Sequence, residues 1–133
     1  MHRVVLDTNV IVSAAISEGK PRELLGRAIE NRFSLVISEF ILKETENVLR
    51  RPKFKTGEDE IQRIVLAVMQ SGDMVRVESD FRAIDSDPSD NMILNTAYDG
   101  YADFIVTGDK ALLRLKRFKK IRILSVSEAL NQI

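Results

Sequence analysis

Five short runs rich in β-branched residues recur along the chain: RVVL (Arg3 to Leu6), SLVI (Ser34 to Ile37), MVRVE (Met74 to Glu78), FIVT (Phe104 to Thr107) and IRILS (Ile121 to Ser125). Segments of helical period separate them. Strands joined through helices cannot pair as hairpins; each crossover returns the chain to lay the next strand parallel to the last, with helices covering both faces. The expected fold is α/β, a three-layer α/β/α sandwich around a central parallel sheet of about five strands. Helices are expected near Val10 to Ile16, Pro21 to Asn31, Glu39 to Arg50, Glu58 to Ser71 and Pro88 to Gly100, with a brief one after Asp109. Pro21 and Pro88 suit first helical turns, where no N–H is needed, and Gly72 and Gly100 suit helix exits. RRPKFKTG, broken by Pro52 and Gly57, reads as an exposed loop. At 133 residues, with no repeat or linker, residues 1–133 read as a single domain.

In an open parallel sheet, ligands gather at the carboxyl ends of the strands. Asp7 directly follows the first strand, and Asp109 follows the fourth with only Gly108 between. The two acids should therefore share one edge. Glu44 stands out differently. At about 100° per residue, Glu39, Lys43, Glu46 and Arg50 share a polar helix face, whereas Glu44 falls among Phe40, Ile41 and Val48. A charge in an apolar arc should be partly buried and needs a counter-charge or a metal. Asp90 lies in the first turn of the helix from Pro88, on the face of Leu94, Ala97 and Tyr101 that should meet the sheet. Asp99 projects elsewhere and is expected on the surface. Each acid also has a purely structural reading. Asp7, Asn9, Asp87 and Asp109 could cap helices, Asp90 could complete a capping box, and Glu44 could pair with an arginine inside the fold.

The chain has no cysteine and one histidine, His2. Disulfides, thiolate catalysis and cysteine-ligated zinc are excluded, and a Ser-His-Asp triad or histidine-rich metal site would depend on a residue beside the N-terminus. Chemistry is left to carboxylates. Clustered carboxylates repel unless a cation compensates, and all-oxygen ligands favour Mg²⁺ or Mn²⁺. Such a site suits phosphodiester hydrolysis. No apolar run approaches the roughly 20 residues of a membrane span, so no membrane partner and a cytoplasmic location are expected. Twenty Lys and Arg balance twenty Asp and Glu, giving no net field that announces nucleic acid. RLKRFKKIR and RRPKF are locally basic, but the first should lie at the edge opposite Asp109 and reads as a solvated face rather than a contact with a scissile phosphate.

Taken in order, VVLDTNVIVSA, KETENVL, DPSDNMILNTA and ADFIVTGDKALL resemble the motifs of PIN-domain ribonucleases, from the first strand to the last. The resemblance implies a PIN-like α/β/α fold and a Mg²⁺- or Mn²⁺-dependent endoribonuclease acting on RNA, the toxin component of a VapC-type toxin–antitoxin pair. It further implies a cognate antitoxin protein and a homodimer. Carried over by position, the four acids are Asp7, Glu44, Asp90 and Asp109, as catalytic and metal-holding residues. Asn9 and Thr107 match polar positions that support the site. The third motif offers Asp87 as well as Asp90; Asp90 has the expected spacing to Ala97 and is preferred. Asp103, near the fourth motif, is a weaker candidate for the acidic pocket. A haloacid-dehalogenase-like phosphatase would want a second Asp where the chain has Asn9. The remaining alternative is a non-catalytic PIN-like module that binds RNA or protein, against which retention of all four acids argues.

Overall fold

The computed structural model describes residues 1–133. Its elements in chain order are β1 (Arg3–Leu6), α1 (Thr8–Ile16), α2 (Lys20–Ile29), β2 (Ser34–Ile37), α3 (Glu39–Leu49), α4 (Glu58–Ser71), β3 (Gly72–Met74), α5 (Pro88–Asp99), β4 (Phe104–Val106), α6 (Lys110–Leu115), β5 (Arg117–Phe118), β6 (Ile121–Leu124) and α7 (Val126–Gln132). A 3-10 turn, Pro52–Phe54, lies between α3 and α4.

The strands form one sheet in the order β3-β2-β1-β4-β6-β5, parallel throughout except for the β5–β6 edge pair. From β1 the chain winds outward through β2 to β3, then returns to β4 on the other side of β1. The winding direction therefore reverses between β1 and β4, and a crevice opens at the carboxyl ends of those two strands. Right-handed crossovers place α1 to α4 on one face and α5 and α6 on the other. In keeping with this, α1 packs on α2 and α3, α4 on α2 and α3, and α5 on β1, β2 and β4. The last helix, α7, joins the first layer against α2.

The apolar runs form the central strands because both faces of the sheet are covered. Val4, Val5, Leu35, Val36, Ile105 and Val106 are completely buried, each side chain worth roughly 1.5–3 kcal/mol of transfer free energy. Gly100 ends α5 against this core. A Cβ there would stand 2.4 Å from Val36 Cγ1, so only glycine allows the close approach.

The polar face expected of α3 is present as ion pairs, Lys43 to Glu39 at 2.9 Å and Arg50 to Glu46 at 3.2 Å. Three expectations need correction. The third strand is Gly72–Met74 rather than Met74 to Glu78. Beyond Val75, whose N–H still donates to Ile37 O, the backbone is held by α5 side chains instead of a ladder. Asp99 accepts from the Glu78 and Ser79 N–H groups, Asn95 from Phe81 N–H and Asn91 from Ile84 N–H. Asp99 is consequently half-buried and structural, not a free surface acid. The sheet also has six strands, because Arg117–Phe118 turns back antiparallel onto β6. The turn between them lies at the amino edge, where Lys119 Nζ rests 4.9 Å from the Phe81 ring centroid. The basic stretch thus sits opposite the carboxyl edge, as its sequence position suggests.

Candidate acidic site at the carboxyl edge

Asp7 and Thr107 each extend their strand's ladder by one residue. The Asp7 N–H donates to Val106 O at 2.9 Å and the Thr107 N–H to Leu124 O at 3.0 Å. This register brings the two side chains together at the switch point. The Thr107 hydroxyl donates to Asp7 Oδ2 at 2.7 Å, and its oxygen accepts the Asp109 N–H at 2.9 Å. Asp7 is 6% exposed and Thr107 completely buried. Although Asp7 precedes α1, its side chain makes no capping hydrogen bond. Burial raises its pKa above the ordinary carboxylate value, the Thr107 hydroxyl opposes that rise, and the Asp109 charge adds to it.

Asp109 does cap α6, its Oδ1 accepting from the Ala111 and Leu112 N–H groups at 2.8 and 3.1 Å. The structural and functional readings are compatible here, since the same side chain borders the acid cavity. Asp90, in the first turn of α5, is 4% exposed, and its Oδ2 has no hydrogen-bond partner. Burial first, and then the charges of Asp109, Asp87 and Asp7, push its pKa up to about 7. Glu44 is half-buried and engages no cation as an ion pair, so the alternative of an arginine partner inside the fold is not what the structure shows.

All four acids line one polar cavity of about 180 Å³, together with Thr8, Asn9, Phe40, Val48, Arg51, Asp87, Ser89 and Ile93. Three larger hollows, of about 780, 820 and 520 Å³, gather no comparable set of acids. Asn9 is exposed at the cavity wall. Asp87 is exposed too and caps α5, its Oδ1 accepting from the Ser89 N–H and hydroxyl. Of the two acids in the third motif, Asp90 is the buried one. Asp103 does not belong to the cavity. It precedes β4 at the amino edge and accepts the Arg3 N–H at 2.9 Å. The reason is strand length: the residues of β4 separate it from Thr107 and Asp109.

Thr8, Arg51 and Ser89 also line the cavity and were not expected there from sequence. Thr8 is 5% exposed with its hydroxyl unpartnered. Its place directly after Asp7, at the first position of a helix that starts at the sheet edge, was the available signal.

The donor set is entirely hard oxygen, and two of its buried oxygens, Thr8 Oγ1 and Asp90 Oδ2, lack partners. Those features fit Mg²⁺ or Mn²⁺. No three acidic side chains are already gathered into a metal cage.

Strand order and switch point define an α/β protein with a crevice lined by carboxylates drawn from separate elements. The chain belongs to the PIN domain family, whose model matches residues 3–111 and so spans all four acids. Its fold is similar to that of a chain in the crystal structure of VapBC2 from Rickettsia felis bound to a DNA fragment from their promoter. The TM-score is 0.60 at 17% identity, over 92% of this chain and 98% of that one. At that identity the likeness is one of fold. No curated protein matches the chain. No helix is long and apolar enough to cross a membrane.

Proposed function

We propose that the protein is a Mg²⁺- or Mn²⁺-dependent endoribonuclease that hydrolyses RNA phosphodiester bonds, with Asp7, Glu44, Asp90 and Asp109 holding the ion. The observation that carries this reading is the convergence of those four carboxylates, from β1, α3, α5 and the start of α6, on one small cavity. An ion bound there supplies Lewis-acid stabilisation to a phosphoryl centre. The chain's own residues prepare the place. Thr107 orients Asp7, the first N–H groups of α6 fix Asp109, and both keep their carboxylates rigid beside the switch point. Asp90 keeps its proton up to about neutral pH, which ties cation binding to pH because a ligand carboxyl must first ionise.

Membership of the PIN domain family, together with the fold likeness to a VapBC2 chain, supports a toxin role with a cognate antitoxin protein as partner, and a cytoplasmic location is proposed with it. A homodimer is proposed as well, on the resemblance of the sequence motifs to the PIN-domain family. Half-exposed Leu66 and Met69 on α4 are apolar surface available to it.

The test is cleavage of single-stranded RNA by the purified protein with Mn²⁺ and with chelator. Cleavage with the metal only, lost in Asp7→Asn at an unchanged circular dichroism spectrum, is the expected result. RNA bound but left intact by the wild type would replace this reading with the non-catalytic binding module.

A further inference from the structure

The acid cavity has one cation in its lining, Arg51, against the five carboxylates Asp7, Glu44, Asp87, Asp90 and Asp109. Its side chain is exposed and takes part in no ion pair of the protein. The preceding residue behaves in the opposite way. Arg50 keeps a helical backbone (φ −75°, ψ −9°) at the end of α3 and commits its guanidinium to Glu46 at 3.2 Å and Glu58 at 2.7 Å.

Pro52, which follows Arg51, accounts for the difference. The pyrrolidine ring disfavours the helical region for the residue before proline, and Arg51 adopts φ −60°, ψ 132°. The chain leaves α3 at that point, which takes Arg51 out of the helix's ion-paired face and leaves it at the cavity wall. Lys53 and Lys55, both exposed, follow on the same loop.

An RNA strand entering this cavity meets mostly negative charge. Phosphate needs a cation from the protein, and a guanidinium meets it with two parallel N–H donors, which an ammonium cannot. We propose that Arg51 is a positioning residue that holds a backbone phosphate of the RNA beside the one being cut. This rests on the nuclease reading above. Arg51 would act on the substrate's placement, and the four acids on the reaction.

The experiment uses the full chain with Mn²⁺ and a mixed-sequence single-stranded RNA oligonucleotide, measuring KM, kcat and their dependence on salt. Arg51→Gln is expected to lower kcat/KM about tenfold or more, chiefly through KM, as loss of a substrate-binding contact does. The slope of log kcat/KM against log salt should become shallower by about 0.7, one phosphate contact on a single strand. Arg51→Lys should restore the salt slope and part of the affinity, and neither variant should change the melting temperature. Arg50→Gln should do the reverse, lowering the melting temperature with KM unchanged. A wild type that cuts RNA alongside an Arg51→Gln with the same KM and the same salt slope overturns the assignment of Arg51 alone. A wild type that does not cut RNA overturns the nuclease reading and the assignment with it.

Discussion

The Thr107 hydroxyl stands between Asp7 and the backbone of Asp109, donating to one and accepting from the other, at 2.7 and 2.9 Å. One completely buried side chain therefore sets the geometry of two acids that are 102 positions apart in the sequence, 109 less 7. It also opposes the rise that burial imposes on the Asp7 pKa.

Thr107→Val preserves shape and removes both hydrogen bonds. The buried Asp7 oxygen and the Asp109 N–H lose their partner, at a cost of about 1–3 kcal/mol. Urea denaturation should report that loss. The Asp7 pKa should rise further, so stabilisation by Mn²⁺ should need a higher pH than in the wild type. An unchanged denaturation midpoint would remove Thr107 from this role.

Asp90 makes stability fall with rising pH. Its folded pKa of about 7 lies above the ordinary 3.8. Below pH 3.8 both folded and unfolded chains hold the proton. Between about 4 and 7 only the folded chain does, and stability declines across that window because the unfolded state binds fewer protons. In chelator, Asp90→Asn should flatten this decline and melt above the wild type at pH 8. Parallel melting curves for the two proteins from pH 4 to 8 would contradict the burial and repulsion assigned to Asp90.

Glu44 has no ion-pair partner to lose, so Glu44→Gln should leave the melting temperature in chelator equal to or above that of the wild type. The gain in melting temperature on adding Mn²⁺ should shrink, since ligand-linked stability follows affinity. Calorimetry with and without Mn²⁺ measures both. Full Mn²⁺ stabilisation in the variant would exclude Glu44 from the ion's ligands.

Asp103 serves as the contrast. Its carboxylate holds the Arg3 N–H at the far edge of the sheet, so Asp103→Ala should cost about 0.5–1.5 kcal/mol, the net worth of one hydrogen bond. Stabilisation by Mn²⁺ should not change. A variant that loses Mn²⁺ stabilisation would put Asp103 back among the candidate residues.

Asp7 and Asp109 were legible in the sequence because each follows a short apolar run whose end is also the edge of the sheet. Glu44 was legible from helical phase, and Phe40 and Val48 do flank the same cavity. What the sequence concealed depends on partners that only the folded chain supplies. Val75 and Val77 alternate as a strand would, yet Asn91, Asn95 and Asp99 bind the segment that follows. The two-residue strand at Arg117 is basic and has no strand signature of its own; pairing with β6 creates it. The last helix did carry a readable mark. Ser125 and Glu128 form a capping box, and the spacing is present in SVSE. Asp103 was misplaced because nearness to a motif in sequence is not nearness to the same end of a strand.

The pairing of β1 with β4 has a bearing on how the protein comes into being. Asp7 and Thr107, its hydrogen-bond partner, are 100 positions apart in the chain. Sheet contacts between such distant segments close late, after the loop between them has been ordered. A growing polypeptide therefore carries an incomplete acidic crevice until β4 and the turn into α6 have been made and docked. The crevice takes its final shape only when β4 and the turn into α6 have docked against β1.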